Sequence, residues 1–130
     1  EQIQFKKAVI QNNVSPDVFV YYNPAYLESI LLNFISNAIR YSHTLRTPTI
    51  SLISYVENGK TVLEINDNGI GIDLKKYGDK LFGMYKTFHK NPDSKGIGLF
   101  ITKNQIDAMD GNVTVESEPN IGTSFKIYFK

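Results

Sequence analysis

The sequence lacks several features whose absence excludes whole classes of function. It has no cysteine, which excludes disulfides and thiolate chemistry and fits a reducing compartment. No apolar run approaches the ~18 residues of a membrane-spanning helix, and no signal peptide is recognisable. Basic and acidic residues nearly cancel, at 14 and 13, so neither nucleic acid nor a membrane surface is indicated as a partner.

What is present indicates one folded domain. A chain of 130 residues, 42% of them hydrophobic, is long enough for one core and too short for two. We therefore expect residues 1–130 to form a single domain. The chain begins at Glu1 without methionine, so we expect it to be a fragment of a longer protein, which the sequence leaves open as soluble or membrane-anchored.

Local patterns predict the elements of the first third of the chain. Strands are expected within residues 3–10 and over Val18–Tyr22. Asn23-Pro24 then offers an N-cap followed by proline at the first helical position. A helix is predicted from there to about Tyr41, because apolar residues recur at helical spacing.

The remainder predicts hairpins and two more helical segments. The expected strands form two pairs: Thr47–Glu57 with Thr61–Asn66, and Asn112–Ser117 with Thr123–Phe129. Asn58-Gly59 is a strong hairpin turn signal. A short helix is expected at LKKYG, and a longer one over Ile97–Met109 that ends at Asp110-Gly111. The predicted fold class is therefore α+β: a two-layer α/β sandwich whose mixed, mostly antiparallel sheet is covered on one face by about three helices.

One edge of the first helix is polar. At 100° per residue, Asn33, Asn37, Arg40 and Tyr41 fall within an arc of roughly 100° beside the apolar face. Side chains at such a seam between core and solvent are placed to line a pocket. A solvated helix flank explains the same pattern.

Two glycine-containing segments offer further candidate sites. Asp67-Asn68-Gly69-Ile70-Gly71 follows a strand, so it is either a plain tight turn or a rigidly held carboxylate with glycines that admit a planar ligand. Lys95-Gly96-Ile97-Gly98-Leu99 opens a helix, where free N–H groups suit phosphate. Gly-x-Gly alone is a weak signal. Six of the 14 basic residues lie between Lys75 and Lys95, and a solvated loop explains that run equally well.

The order of these motifs, completed by Gly122-Thr123-x-Phe125, resembles the ATP-binding catalytic domain of sensor histidine kinases over nearly the whole chain. That domain belongs to the superfamily of gyrase, the ninety-kilodalton heat-shock chaperone and the mismatch-repair ATPases, with its Bergerat ATP-binding fold. The resemblance implies a catalytic set of Asn33, Asn37 and Arg40, with Asn37 as the Mg²⁺ ligand. It implies ATP contacts at Asn33, Asn37, Arg40, Tyr41, Asp67, Gly69, Gly71, Ile72, Phe82, Lys95, Gly96, Ile97, Gly98, Leu99 and Thr123.

The resemblance also implies what each motif does. Asp67 would accept a hydrogen bond from the adenine amino group, and Tyr85 to Lys95 would form a lid over ATP. In the segment LFGMYKTF, Phe82 is in place, whereas Met84 and Tyr85 replace a usual proline and a common phenylalanine. Asn120 and Lys95 depart from a frequent glycine and a frequent small residue.

Asn33 distinguishes the subfamilies on chemical grounds. ATP-hydrolysing members of the superfamily carry glutamate there, a general base toward water, and asparagine cannot take that proton. The site is therefore predicted to hold ATP for transfer. Neither His43 nor His89 fits a phosphoacceptor, so the implied partners are a separate dimerisation and phosphoacceptor hairpin and a response regulator.

Taken together, the resemblance implies the monomeric cytoplasmic ATP-binding part of a homodimeric parent kinase. Two alternatives stay open. An anti-sigma-factor type of protein-serine kinase shares the fold and needs no hairpin, and a nucleotide-sensing interaction domain would bind without turnover.

Overall fold

A computed structural model describes residues 8–20, 22–77 and 97–129. In chain order its elements are β1 (Val9–Asn13), α1 (Pro24–Arg40), β2 (Thr49–Glu57), β3 (Lys60–Asp67), α2 (Leu74–Tyr77), α3 (Ile97–Ala108), β4 (Asn112–Glu118) and β5 (Gly122–Tyr128). The strands form one sheet in the order β1-β2-β3-β5-β4. Only the β1–β2 pair is parallel among these strands, so the predicted mixed, mostly antiparallel sheet is confirmed.

Helix α1 begins and ends where its local sequence predicts. The Asn23 side-chain oxygen accepts hydrogen bonds from the backbone N–H groups of Ala25 at 2.9 Å and Tyr26 at 3.3 Å. Pro24 occupies the first turn, where it has no hydrogen bond to lose. Tyr41 is the C-cap, so the helix delivers its polar edge directly to the loop that follows.

The hairpin between β2 and β3 is also confirmed. Asn58 and Gly59 have φ angles of 53° and 79°, the paired positive values of the turn that matches strand twist. The turn sets a register in which Ile50 lies opposite Asp67. It thereby fixes the position of the Asp67 carboxylate at one end of the sheet.

The predicted strand over Val18–Tyr22 is wrong. Residues 18–20 and 22 form no strand. Val20 and Tyr22 instead pack against the core from an irregular segment, and the Tyr22 hydroxyl donates to the carbonyl of Ile106 at 3.2 Å. Tertiary packing, not sheet pairing, accounts for the apolar side chains of Val20 and Tyr22. The other early strand is present as β1, but it runs over Val9–Asn13 and so ends three residues beyond the predicted range. Residues 1–7 lie outside the described part.

The core lies between the helices and one face of the sheet. Its fully buried members include Ile30, Phe34, Ile50, Ile106 and Ile127. The rings of Phe34 on α1 and Phe125 on β5 pack with centroids 4.5 Å apart. This contact places the C-terminal half of α1 across the sheet, so that its polar edge faces the ends of β3 and β5.

Candidate functional site

A cavity opens where α1, the β3–α2 loop, α3 and β5 meet. Its walls are Asn37, Ala38, Tyr41, Asp67, Gly71, Ile72, Leu99, Thr123 and Phe125. Seven of these are residues predicted for the site, brought together from four separate segments. The cavity volume is about 30 Å³, room for one or two water molecules.

Asp67 is held rigidly at the end of β3. Its Oδ1 accepts hydrogen bonds from the backbone N–H groups of Gly69 at 2.9 Å and Thr123 at 3.3 Å. Burial raises the pKa of the Asp67 carboxyl, and the same two hydrogen bonds partly oppose that rise. Because both bonds go to Oδ1, Oδ2 remains an acceptor for a donor that enters the cavity.

The glycines after Asp67 allow close packing of protein segments. A Cβ on Gly69 would lie 2.6 Å from the carbonyl oxygen of Tyr41. Gly71 has φ 75°, and a Cβ there would overlap the carbonyl of Glu118. Glycine at these two positions therefore has a second explanation besides the predicted approach of a planar ligand. Gly69 packs against the end of α1, and Gly71 packs against the connection between β4 and β5.

Arg46 fastens two loops of the site and was missed by the sequence reasoning. Its Nη2 donates to the carbonyl oxygens of Gly69 at 3.0 Å and Asn120 at 2.8 Å. The Asn120 N–H in turn donates to the carbonyl of Ile70 at 2.7 Å. Asn120 has φ 67°, a left-handed conformation that asparagine tolerates, which accounts for asparagine where glycine is frequent.

We expect Arg46→Met to lower the free energy of unfolding by about 1–2 kcal/mol, because two carbonyls lose a charged hydrogen-bond donor. Urea denaturation measures this. Lys103→Met is the matched control, since it removes an exposed ion pair with Asp107 and should cost less than about 0.5 kcal/mol. Equal losses in the two variants would show that the Arg46 bridge contributes no particular stability.

Asn33 contacts α3 and is not one of the cavity walls. Its Nδ2 donates to the hydroxyl of Thr102 at 3.1 Å, and the Thr102 side chain is fully buried. The nitrogen end of the amide is therefore engaged by the protein. This leaves only its oxygen for the predicted role beside a metal, one helical turn before Asn37.

Asn37 and Arg40 lie together at the end of α1. Arg40 Nη1 is 3.5 Å from the side-chain oxygen of Asn37, the outer limit for a hydrogen bond, so that oxygen keeps its capacity as a ligand. Within the described ranges no group of three or more histidine or carboxylate side chains could hold a metal. A single amide oxygen suits Mg²⁺, which takes few protein ligands and completes its shell with water and phosphate oxygens.

The remaining predicted residues lie at or beyond the edge of the described part. Phe82, Lys95 and Gly96, with the segment Tyr85–Lys95, fall outside the described residues. Ile97 and Gly98 form the start of α3, where the sequence predicts a helix opening. In the same described ranges, no helix is long and apolar enough to cross a membrane.

Curated proteins with related sequences are sensor kinases. The chain is 33% identical over 134 residues to the autoinducer 2 sensor kinase/phosphatase LuxQ of Vibrio harveyi, covering 92% of this chain and 15% of LuxQ. It is 33% identical over 111 residues to the signal transduction histidine-protein kinase ArlS of Staphylococcus haemolyticus, covering 83% of this chain and 24% of ArlS. The chain thus spans a quarter or less of the length of these relatives.

Solved structures show the same fold. The mycobacterial sensor histidine kinase MprB matches with a TM-score of 0.83 and 21% identity, over 98% of this chain and 87% of that one. Full-length ShkA in complex with AMPPNP matches with a TM-score of 0.80 and 25% identity, over 98% and 26%. The profile described as "Histidine kinase-, DNA gyrase B-, and HSP90-like ATPase" matches residues 22–130. The chain belongs to this ATPase family, and its relatives in it are sensor histidine kinases.

Proposed function

We propose that the chain binds Mg²⁺·ATP and presents the γ-phosphate to a histidine on a separate helical hairpin of its parent protein, in a two-component relay that ends on a response regulator. The observation that supports this most directly is the meeting of Asn37, Asp67 and Thr123 at one cavity. These side chains offer an oxygen for a hard cation and acceptors for a base, within a family of ATPases.

The base end of the proposed site is the Asp67 carboxylate. Its Oδ2 would accept a hydrogen bond from the amino group of adenine, while Oδ1 is held by Gly69 and Thr123. Ile72 and Leu99 supply apolar walls for the ring. A buried site that offers acceptors favours a base with an amino group, because a carbonyl oxygen there would face another acceptor.

The phosphate end is the C-terminal turn of α1 together with the start of α3. Asn37 would hold Mg²⁺, which neutralises phosphate charge when bound. Arg40 and Tyr41 lie beside it to contact phosphates, and the start of α3 at Ile97 is the positive end of a helix, which favours phosphate charge. Catalysis by these residues is positioning and charge stabilisation, since phosphoryl transfer needs little covalent help from protein.

Asn33 directs the site toward transfer. An amide cannot accept the proton of an attacking water, and its nitrogen is engaged by Thr102. No general base for hydrolysis is therefore offered at this position. The acceptor histidine has to come from elsewhere, which agrees with a chain that spans only part of each relative.

The same proposal covers the oligomeric state and location of the domain and of its parent protein. Residues 1–130 would act as one monomeric domain within a homodimeric parent, exposed to the cytoplasm whether or not that parent is membrane-anchored. Charge near balance gives no reason to expect a nucleic-acid partner.

The test mixes the chain with radiolabelled γ-phosphate ATP, Mg²⁺ and the hairpin of its parent supplied in trans. We expect acid-labile phosphohistidine on the hairpin, no label on this chain and negligible release of free phosphate. A hairpin whose acceptor histidine is replaced by glutamine is the control. Acid-stable phosphoserine on another protein would favour the serine-kinase alternative, and binding without transfer would favour the nucleotide sensor.

A further inference from the structure

We infer that Ser117 sets the base preference of the proposed nucleotide site by fixing the direction of the Thr123 hydroxyl. Ser117 is not a wall of the cavity and acts through Thr123, which is. The inference rests on the proposed function and adds a positioning residue to it. The ligand chemistry concerned is the group at position 6 of a purine.

The Ser117 hydroxyl lies at the centre of three polar contacts. The backbone N–H of Ile72 donates to its Oγ at 2.8 Å. The carbonyl oxygen of Gly122 is 2.9 Å from it, and Thr123 Oγ1 is 2.8 Å away. A serine hydroxyl has one proton to donate and two lone pairs to accept, so three partners use all of its capacity.

Only one assignment of protons satisfies these contacts. A carbonyl oxygen only accepts, so the Ser117 proton has to lie on the bond to Gly122; otherwise two lone pairs would face each other at 2.9 Å. The two lone pairs of Ser117 then accept from the Ile72 N–H and from Thr123. The proton of the Thr123 hydroxyl is therefore directed at Ser117 and away from the cavity.

The consequence is a pair of acceptors at the base end of the site. Thr123 is buried and shows the cavity only lone pairs, next to the Asp67 carboxylate whose Oδ1 accepts the Thr123 N–H. Asp67 alone would tolerate any N–H donor, including one on a purine with a carbonyl at position 6. A second fixed acceptor disfavours that carbonyl, because two acceptors left facing each other forfeit a hydrogen bond on both sides.

The test compares ATP with inosine triphosphate, in which a carbonyl replaces the amino group at position 6. Calorimetry gives both dissociation constants for the wild type, Ser117→Ala, Thr123→Val and the double variant. We expect Ser117→Ala to reduce the preference for ATP by about three- to tenfold, because the freed Thr123 hydroxyl can rotate and donate to the carbonyl. In the Thr123→Val background the same substitution should leave the preference unchanged.

Two further variants separate hydroxyl direction from loop shape. Ser117→Thr keeps the hydroxyl and should retain the wild-type preference. Ser117→Cys keeps the side-chain shape but replaces the hydroxyl with a weakly accepting sulfur, so it should reduce the preference for ATP over inosine triphosphate. It replaces the alanine variant in the test if that variant does not fold. An unchanged preference in both the alanine and cysteine variants overturns the inference, as does an equal loss in the Thr123→Val background.

The same measurements keep the two proposals apart. A wild type that binds no ATP contradicts the proposed function, and the role of Ser117 fails with it. A wild type that prefers ATP while the Ser117 variants keep that preference contradicts the role of Ser117 alone.

Discussion

Asp67→Asn is expected to weaken ATP binding by roughly 10- to 100-fold. The substitution removes a buried hydrogen bond to a charged group and leaves two N–H donors facing each other. Asparagine can still accept the N–H groups of Gly69 and Thr123 through Oδ1. Its amide nitrogen then takes the place of Oδ2 and faces the amino group of adenine. Calorimetry at neutral pH with ATP and Mg²⁺ measures the loss.

The same substitution should leave the ligand-free protein as stable as the wild type, or more so. Burial raises the pKa of Asp67, so the folded state holds this proton more tightly than the unfolded state. The stability of the wild type therefore falls as pH rises from the unfolded pKa of about 3.9 through the raised folded pKa, and the loss persists at neutral pH. Asparagine does not ionise and removes that penalty.

Urea unfolding of the ligand-free protein at pH 4 and pH 7 checks the sign. Compared with the wild type, Asp67→Asn should gain stability at pH 7 relative to pH 4. Asp17→Asn makes the same substitution on an exposed turn and is the control. If Asp67→Asn instead unfolds far more easily at pH 7, the carboxylate stabilises the fold. If ATP binding is unaffected, Asp67 does not recognise the base.

Local sequence was sufficient wherever a few neighbouring residues decide the structure. Asn23-Pro24 predicts the start of α1, and Asn58-Gly59 predicts the β2–β3 turn, because capping and positive φ are properties of the residues themselves. The end of α3 shows the limit of such rules. Asp110, at φ 60°, takes the left-handed position there, whereas the Asp110-Gly111 pair left open which residue would do so.

Contacts between distant segments were beyond the sequence. Val18–Tyr22 has the composition of a strand, yet Val20 and Tyr22 pack against the core instead of pairing in the sheet, with Tyr22 against Phe129 and bonded to Ile106 of α3. Burial selects the same residues that sheets do. Arg46 bridges carbonyls 23 and 74 positions further along the chain. Neither Arg46 nor Ser117 belongs to a recognisable local pattern, so only the folded arrangement reveals them.

In the candidate site too, some features were predictable from the sequence and others only from the folded structure. The order of motifs predicted that Asn37, Tyr41, Asp67 and Thr123 would meet, and these residues share one cavity. Periodicity also placed Asn33 on the polar edge of α1, but it could not show that the amide nitrogen is bonded to a buried threonine on α3. Spacing along α1 specifies the direction in which the Asn33 side chain points, whereas its partner is decided by how α3 packs against α1.

Asn37→Ala is expected to abolish most of the Mg²⁺ dependence of ATP binding. Loss of partners that merely support a metal ligand costs 10- to 100-fold in affinity, so loss of the ligand itself should cost at least about 100-fold in Mg²⁺-dependent affinity. Binding of ATP without Mg²⁺ should change much less, because Arg40, now without its 3.5 Å neighbour on Asn37, remains free to contact phosphates.

Stability separates this effect from unfolding. Alanine has a higher helix propensity than asparagine by about 0.6 kcal/mol, and Asn37 lies within α1, so the variant should unfold no more easily than the wild type. Asn104→Ala makes the same change at an exposed position of α3 and should leave binding intact. Titrations of ATP at several Mg²⁺ concentrations decide the matter. If the ATP affinity of Asn37→Ala still rises with Mg²⁺ as that of the wild type does, the metal is held by a residue other than Asn37.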